Sequence, residues 1–501
     1  MKKNFAIFFV LLIIGACSKN DDFVIKSDNQ NIENLVPMDP AEINQEIKTF
    51  LKETGNFNWN DASDYMLWSA SVHGQNVVTV GYGNSSFSET KSTENEAIKS
   101  QLIQKISDLE NISNSKNKSG NAILLYEDED LNFIDIEVKS IETIKELRTD
   151  KNVRYIEPAG YQFFAYETQM KSSSGCTTTA DAVNSGDYRT ISPNCLVSWT
   201  YDEHNITQAW TLSTGQGITV GLIDTGVSDY QSLLGSGFND GYSSGRYIQK
   251  YGSYVDSWKW WSTTTDGYHD KCGHGTSMAA TIASPRNDNG MPVGVAYNCN
   301  LVSYRGTSDV VLDGYQEQKG VANALTGLAN NSSVKVISMS IGHIFTVGRI
   351  EDAVKYAYAK GKMIIAAGGT STTFTNFVGV IFPANMNETV AVTGITSDNS
   401  YNECDVCHEG SQIDFTVVMS RYWDENRNSV CLGYYNNTKD YVGGSSVATS
   451  TTAGIAALIW ARHPSWTRAQ VFDKMKQSAE LYNNPSSSFG YGNIDAYQAV
   501  L

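Results

Sequence analysis

Residues 441–458, YVGGSSVATSTTAGIAAL, decide how this chain folds. Two glycines precede a pair of serines, and the small residues after them predict a helix that is buried in the protein. A serine at the start of such a helix exposes its hydroxyl beside backbone N–H groups and the positive end of the helix dipole, which stabilise a developing anion. This arrangement suits acyl transfer, whereas a serine that only caps the helix is the structural alternative.

Length and charge limit what the rest of the chain does. The 501 residues are 41% hydrophobic and 18% charged, which is enough for a large core with smaller units around it. The net charge of -17 argues against nucleic acid as a partner, because phosphate binding needs a basic surface. The acidity fits a soluble, exported protein.

The N-terminus predicts an export signal with a lipid anchor. Residues 1–16 carry Lys2 and Lys3 and then an apolar run that is too short to span a bilayer. Residues 14–17, IGAC, resemble a bacterial lipobox, which implies cleavage before Cys17 and lipid on its thiol. The next residues, SKNDD, resemble the surface-export signal of lipoproteins in some Gram-negative bacteria. We therefore expect a lipoprotein of the bacterial outer membrane that faces the cell surface.

Export allows disulfides to form among the remaining cysteines. With one of the eight assigned to lipid, an odd number is left, so at least one is not paired within the chain. The pairs predicted from proximity in sequence are Cys176 with Cys195, Cys272 with Cys299, and Cys431 with Cys404 or Cys407. Residues 404–408, CDVCH, also match a haem-attachment pattern or, with Cys431, a zinc site, which are the alternatives to a disulfide.

Composition divides the rest of the chain into a tether, a small domain, a connector and a large domain. Residues 17–38 are mostly polar, and residues 39–166 have the composition of a small α+β domain. Within it AILLY, FIDIEV and VRYIEP predict strands, and SIETIKELRTD predicts a helix with one apolar face. An ordinary ferredoxin-like binding domain is one interpretation of this segment. Residues 167–196 are a polar connector.

Residues 197–501 alternate apolar strands with helical segments, and ITVGLI, VKVISMSI and MIIAA are the clearest strands. Strands that are apolar on both faces predict a parallel β-sheet flanked by helices on both faces, which is an α/β fold. Its connections should be right-handed, and its functional site should lie at the C-terminal ends of the strands.

Three residues would meet at those strand ends. Asp224 ends the strand in GITVGLIDTGV, His274 starts a helix in CGHGTSMAATIA, and Ser446 begins the helix described above. Each alone is more often structural, but together they predict a catalytic triad in the chain order Asp, His, Ser. An aspartic protease is excluded by the absence from the sequence of a second Asp-Thr-Gly or Asp-Ser-Gly.

The surrounding motifs resemble the catalytic domain of the subtilases, the subtilisin-like serine peptidases, which share this triad order. The resemblance is carried by PVGVAYNCNLVSYR, VISMSIG, IIAAGG, ALIWARHPSWT and YGNIDAYQAV in addition to the three triad segments. It implies an exported serine endopeptidase that hydrolyses peptide bonds through an acyl-enzyme. A catalytically inactive peptide-binding protein of this fold, or a transpeptidase or ligase, is the alternative.

The resemblance implies a role for each motif residue. Ser446 is the implied nucleophile, His274 the general base and Asp224 the group that orients the histidine. The residues implied to bind substrate are Ser340, Ile341 and Gly342 as an added strand, and Ala366, Ala367 and Gly368 as the opposite wall of the primary specificity pocket.

Two departures from the family pattern affect the expected activity. Gly369 stands where the family has its oxyanion asparagine, which leaves the N–H of Ser446 as one donor. Loss of such a side-chain donor costs about 10²- to 10³-fold in turnover unless Thr370, Asn376 or a water replaces it. If no replacement exists, Gly369→Asn should be faster. The serine motif reads GSSVATS without the family's proline, and Ser445 is a less favoured nucleophile.

Residues 39–166 also resemble the inhibitor-type propeptide of the subtilases, and VRYIEPAGYQFFAY resembles its C-terminal tail. This implies a zymogen that cleaves itself near Tyr166, so that the lipid stays on the propeptide. The expected partners are polypeptide substrates, the chain's own propeptide and, through Cys17, the membrane.

No cofactor is expected to be required. Residues 287–290, NDNG, occupy the loop that in many relatives binds a structural calcium ion, and an ordinary polar turn is the alternative.

Overall fold

Two β-sheets organise the part of the chain that the computed structural model describes, which is residues 35–88, 92–110, 124–166, 175–257, 259, 262–369, 378–398, 400–404 and 406–501. Contacts divide the chain at Val36, and Pro37–Leu501 forms one compact unit. The predicted signal sequence, the lipidation residue Cys17 and almost all of the tether lie outside the described residues.

The first sheet belongs to a small N-terminal domain. Its helices are α1 (Pro40–Thr54), α2 (Asp64–His73), α3 (Thr93–Leu109) and α4 (Ile141–Arg148), and its strands are β1 (Val77–Tyr82), β2 (Leu124–Glu127), β3 (Phe133–Glu137) and β4 (Val153–Glu157). The strands pair antiparallel in the order β2-β3-β1-β4. The order of elements from β1 to β4 is βαββαβ, the ferredoxin-like arrangement.

Local signals explain where the helices of this domain begin. Helix α1 follows Asp39, whose carboxylate accepts the N–H of Ala41 while Glu42 accepts the N–H of Asp39, a capping box with Pro40 at the first turn. Helix α4 likewise begins after Ser140, whose hydroxyl oxygen accepts the N–H of Glu142.

The second sheet is the framework of the large domain. Its strands are β7 (Thr219–Asp224), β8 (Ile248–Gly252), β9 (Asn300–Arg305), β10 (Val334–Met339), β11 (Met363–Ala367), β12 (Thr389–Thr396), β13 (Phe415–Arg421), β14 (Asp424–Leu432) and β15 (Lys439–Val442). Their order is β15-β14-β13-β12-β11-β10-β7-β9-β8. All pairs from β13 to β8 are parallel, and β14 and β15 extend one edge as antiparallel strands. The predicted α/β fold with a parallel sheet is confirmed.

The remaining elements of the large domain are helices and one short hairpin. The helices are α5 (Thr200–Glu203), α6 (Ile206–Ala209), α7 (His274–Ala283), α8 (Tyr315–Asn330), α9 (Gly348–Ala359), α10 (Gly444–Arg462), α11 (Arg468–Gln477) and α12 (Ala496–Val500). The hairpin consists of β5 (Tyr188–Ile191) and β6 (Cys195–Ser198) and crosses the predicted boundary between the polar connector and the large domain. Because Cys195 is fully buried in the main core, this part of the connector belongs structurally to the large domain.

Alternating side chains of the central strands enter two separate cores. Val336 of β10 packs into the core formed with α7 and α10, whereas the next residue, Ile337, packs into the core formed with α8 and α9. Ile364 and Ile365 of β11 divide in the same way. This period of two explains why strands covered on both faces are continuously apolar in sequence.

The N-terminal domain docks on α8 and α9. Phe133 and Tyr155 of its sheet lie in the same apolar cluster as the buried faces of those two helices. Asp135 is fully buried and accepts from Arg349 at 2.6 Å and from the Tyr315 hydroxyl at 2.7 Å. Charges buried at this depth are tolerated only when they are paired, so these contacts specify one docked arrangement.

Candidate active site

The centre of the site is a hydrogen bond between Asp224 and His274. Asp224 is the last residue of β7 and is fully buried, and its Oδ1 lies 2.7 Å from His274 Nδ1. Because Nδ1 then carries the proton it donates to the carboxylate, Nε2 of the neutral ring is left as the proton acceptor. The geometry suits a general base held in one tautomer.

Charge and burial act on His274 in opposite directions. Burial lowers the pKa of its imidazole, whereas the carboxylate of Asp224 raises it by attraction and by the hydrogen bond, and the pKa ends above the usual 6.5. Asp270 and Asp309 add smaller attractions that act in the same direction as Asp224. The protonated ring that forms when a nucleophile loses its proton is therefore stabilised.

A buried carboxylate that the sequence reading did not single out, Asp270, supports the start of helix α7. Its Oδ1 accepts the N–H groups of Cys272 and Gly273, and its Oδ2 accepts the N–H and the hydroxyl of Thr276, all at 2.6–2.9 Å. The hydroxyl of Thr225, next to Asp224, also donates to Asp270 at 3.0 Å. Asp270 therefore fixes the position of β7 relative to the helix that carries His274.

Ser446 lies in the first turn of helix α10, where the sequence places it. It is half-buried, and its carbonyl oxygen accepts the Ser340 hydroxyl at 3.0 Å. Ser446 and His274 line one cavity of about 460 Å³, and this cavity is the place where a substrate can meet both side chains. Ser445 is buried instead, with its hydroxyl oxygen 3.3 Å from the N–H of Gly369. This difference in burial favours Ser446 as the nucleophile.

The first described residues after the N-terminal domain lie beside His274. Gly175 and Thr177 line the cavity that contains Ser446, and the disulfide between Cys176 and Cys272 fixes this segment next to the histidine. Gly273 has φ +100°, and a Cβ there would lie 2.0 Å from the Thr177 carbonyl oxygen. Glycine at this position therefore allows the connector to pass directly over the start of α7.

Gly369, the predicted oxyanion position, is packed against His408. A Cβ on Gly369 would lie 2.5 Å from His408 Nδ1, and φ at Gly369 is +127°. His408 Nδ1 donates to the Gly379 carbonyl at 2.9 Å, and burial lowers the pKa of the ring, so Nε2 carries no proton to donate. The imidazole of His408 thus fills the space that a side chain at position 369 would need, but it does not supply the hydrogen-bond donor that the family's asparagine provides. Thr370 and Asn376 lie outside the described residues.

The six implied substrate-binding residues follow β10 and end β11. Ala366, Ala367 and Gly368 are buried, and the N–H and carbonyl of Gly368 are bonded to Val392 and Ile381. Of Ser340, Ile341 and Gly342, the last already exchanges two hydrogen bonds with residues 310–312. Among the residues that the structure describes, none of the six lines the cavity of His274 and Ser446.

The predicted disulfide pairs are wrong. Cys176 pairs with Cys272, and Cys404 pairs with Cys407, whereas Cys195, Cys299 and Cys431 are buried free thiols. Proximity in sequence did not predict the pairing, because the fold places Cys272, just before α7, beside Cys176 of the connector although 96 residues separate them. With Cys404 and Cys407 joined to each other, neither thiol is available for the haem or zinc site that the CDVCH pattern suggested.

Side chains that commonly bind metals do not cluster in the described ranges. No group of three or more His, Cys, Asp or Glu side chains there could hold an ion. In the predicted calcium loop, Asn287 Oδ1 accepts the N–H of Asn289, and the Asp288 carbonyl accepts from Asn194. Two of the loop's oxygen atoms thus already accept hydrogen bonds from the chain, and calcium binding at this loop stays a prediction.

Residues 215–492 match the Subtilase family. The chain belongs to the subtilase family. Over 392 residues this subtilase is 26% identical to the "Minor extracellular protease Epr" of Bacillus subtilis (strain 168), which covers 76% of this chain and 52% of the relative. It is 30% identical over 296 residues to a "Subtilisin" of Bacillus pumilus, covering 57% of this chain and 92% of the relative. The chain thus spans about half the length of Epr.

Solved structures agree on the fold of this subtilase. Fervidolysin from Fervidobacterium pennivorans, described as a keratinolytic enzyme related to subtilisin, superposes with a TM-score of 0.57 at 17% identity. The match covers 85% of this chain and 60% of fervidolysin.

Within the described ranges, none of the helices combines the length and the apolar character that crossing a membrane requires.

Proposed function

We propose that this subtilase is a serine endopeptidase in which Ser446, His274 and Asp224 form the catalytic triad. The observation that carries the proposal is the 2.7 Å hydrogen bond from His274 to the buried Asp224, beside a cavity that Ser446 also lines. Membership of a family whose relatives are named as proteases supports it.

The proposed reaction follows from these three side chains. Ser446 Oγ attacks the carbonyl carbon of the scissile peptide bond while its proton moves to His274 Nε2. His274 then returns that proton to the leaving amine, and an acyl-enzyme remains on Ser446. Water attacks the acyl carbon in the same way, with His274 again taking and returning the proton. Asp224 holds the ring and stabilises its positive form in both halves.

The developing oxyanion has fewer fixed donors than the family pattern provides. The N–H of Ser446, in the first turn of α10, is the donor we assign, with the helix dipole adding to it. The N–H of Gly369 lies 3.3 Å from the Ser445 hydroxyl oxygen, which competes for it. We therefore propose a turnover lower by about 10²- to 10³-fold than in relatives with the asparagine.

We further propose that the chain is made as an exported, lipidated zymogen that cuts itself near Tyr166. The N-terminal domain would act as the chain's own inhibitor. It docks on α8 and α9, and Phe164 and Tyr166 of its tail line a cavity together with residues of the large domain such as Val311. Cleavage would leave the lipid of Cys17 on the N-terminal fragment. Retention at the outer membrane would then depend on the docked interface alone.

A second candidate is a peptide-binding protein with this fold that has lost catalysis. Two observations favour it: the missing oxyanion side chain at Gly369 and the occupied backbone groups of Gly342. A transpeptidase or ligase would differ from the peptidase only in passing the acyl group to an amine rather than to water.

Labelling with a small fluorophosphonate separates these candidates, because it needs only an activated serine. The peptidase predicts labelling and peptide hydrolysis in the wild type and loss of both in Ser446→Ala. Ser445→Ala is the matched control and should keep both. A ligase would be labelled but would release transfer product when an amine is added, and a wild type that is not labelled supports the peptide-binding candidate.

A further inference from the structure

Residues 310–312, which we call the strap, are extended beside Gly342 and form an isolated β-bridge with it. The N–H of Gly342 donates to the Val310 carbonyl at 3.0 Å, and the N–H of Leu312 donates to the Gly342 carbonyl at 3.0 Å. Val311 and Gly342 are thereby bridged in parallel orientation. The backbone groups that Gly342 could offer to an extended peptide on this side are both occupied by the chain itself.

The other side of this segment is also occupied, and the segment lies close to Ser446. The adjacent His343 exchanges two backbone hydrogen bonds with Phe382, at 2.9 and 3.1 Å. Ser340, two residues before Gly342, donates its hydroxyl to the Ser446 carbonyl. An extended peptide aligned on this segment would therefore lead to Ser446, but it finds no free strand edge at Gly342.

Specific contacts hold the strap in this position. Glu317 in the first turn of α8 closes the loop around the strap, because its carboxylate accepts the Ser308 hydroxyl at 2.6 Å and the Gly314 N–H at 3.0 Å. The side chain of Leu312 is fully buried in the core beneath the strap. The amide of Gln318 donates to the Leu312 carbonyl at 3.2 Å.

The strap also separates two cavities. Val311 lines both the cavity of His274 and Ser446 and a second cavity of about 580 Å³ that Phe164 and Tyr166 line. Asp313, which follows the strap, accepts the Phe164 N–H at 3.0 Å. The tail of the N-terminal domain thus reaches the far side of the strap, and removal of the strap would join the two cavities into one groove that leads from Tyr166 to Ser446.

We propose that the strap is an autoinhibitory segment that controls which substrates this peptidase accepts. Substrate residues on the N-terminal side of the scissile bond pair with Gly342 only after the strap leaves, because the strap occupies both backbone groups of Gly342. The tail that precedes the predicted cut approaches from the same side. With the strap in place, the enzyme gains nothing from a longer substrate on that side. The inference rests on the proposed peptidase function.

The test compares two substrates of the processed enzyme. One is the p-nitroanilide of an acetylated amino acid, chosen as the residue the wild type cleaves best, and the other is the acetylated tetrapeptide p-nitroanilide that ends in that residue. The variants are Glu317→Ala, which frees both ends of the loop, and Leu312→Gly, which removes the buried anchor. Gln470→Ala is the matched control because Gln470 makes the same capping-box contact at the start of α11, away from the strap.

We expect the wild type and Gln470→Ala to show kcat/KM for the tetrapeptide within about threefold of that for the single residue. Each strap variant should raise this ratio about tenfold or more, because two backbone hydrogen bonds become available to the longer substrate. A wild type that already prefers the tetrapeptide strongly, or a ratio that both variants leave unchanged, overturns the proposal.

A readout that needs no activity separates this proposal from the function it rests on. Hydrogen exchange at the Leu312 and Gly342 amides should be slow in the wild type and faster in Glu317→Ala, with no change in α11. Fluorophosphonate labelling should be equal in both proteins. Failure to label any of the proteins refutes the peptidase, while fast exchange at these two amides in the wild type refutes the strap.

Discussion

Arg154 of the N-terminal domain and Asp352 of helix α9 form a two-point ion pair. Arg154 Nη1 lies 2.8 Å from Asp352 Oδ1, and Nη2 lies 2.7 Å from Oδ2. The carboxylate is 1% exposed and also accepts the Tyr155 hydroxyl at 3.1 Å. Because a planar guanidinium matches both oxygens of a carboxylate, the pair fixes the orientation of the domain as well as adding to its affinity.

Loss of this pair should loosen the docked domain. Arg154→Ala in a Ser446→Ala chain leaves the carboxylate of Asp352 buried without a cation, which costs about 3–5 kcal/mol. Hydrogen exchange in α9 should become faster. Arg189→Ala is the matched control, because Arg189 and Asp202 form a surface pair worth at most about 1 kcal/mol. Equal exchange in α9 of both variants would show that the pair does not hold the interface.

Glu157 should make docking depend on pH. Burial raises its pKa to about 8 from 4.5, although the Gly348 N–H opposes this by donating to both carboxylate oxygens at 2.8 and 2.9 Å. The docked state then binds a proton at Glu157 more readily than the free domain does, so the contribution of Glu157 to docking is most favourable below pH 4.5 and weakens as pH rises to 8.

Glu157→Gln isolates this group in a Ser446→Ala chain. Gln is neutral at every pH, so its Tm should equal that of Glu157 near pH 4 and exceed it above pH 8, where burial of the Glu carboxylate is costly. The measurement is a pair of thermal scans at each pH. A glutamine variant that is less stable above pH 8 would show that the carboxylate is ionised and stabilising in the docked state.

The acid limb of the pH–activity profile should have its midpoint above pH 6.5. The general base must be neutral. Burial lowers the pKa of His274, but the attractions of Asp224, Asp270 and Asp309 together outweigh it and raise this pKa above 6.5. The acid limb of kcat/KM reports this pKa in the free enzyme. In Asp224→Asn we expect a loss of about 10⁴-fold and an acid limb that moves to lower pH. A wild-type limb below pH 6.5 would contradict the assignment.

Gly369→Asn should not produce the faster enzyme that the sequence alone suggested. A side chain at this position meets His408 at 2.5 Å on a backbone with φ +127°, and such strain costs of the order of 1–3 kcal/mol. We expect a lower Tm and no gain in kcat. The added substitution His408→Ala should recover part of the Tm by removing the ring. A higher kcat with an unchanged Tm in Gly369→Asn would show that the position accepts the asparagine.

Strong local periodicity made much of the fold predictable from sequence. The segments FIDIEV and VRYIEP coincide with β3 and β4 apart from their last residue, and ITVGLI coincides with β7 apart from one residue at each end. The last three residues of AILLY lie in β2, and its first two lie outside the described residues. Buried strands and amphipathic helices carry their pattern in consecutive residues. Strand β5 lies in the predicted polar connector and gives no strand signal in sequence, because its residues are exposed or only partly buried.

Features that depend on distant contacts could not be predicted from local sequence. Asp270 becomes important only through α7 and Thr225, and the contact of Gly369 with His408 joins residues that are far apart in the chain. The strap offered no signal either, since residues 310–312 read as part of an ordinary loop before α8. The three residues of the proposed triad can be singled out from the sequence because each lies in a short motif at the end of a strand or the start of a helix.

The most direct test of the account is the intact mass of the purified precursor, wild type beside Ser446→Ala. We predict that the wild type separates into two fragments by a cut between Tyr166 and Gly175, while Ser446→Ala stays whole. A cut at the same place in both proteins would assign the processing to another protease. A wild type that stays whole would contradict self-processing by Ser446.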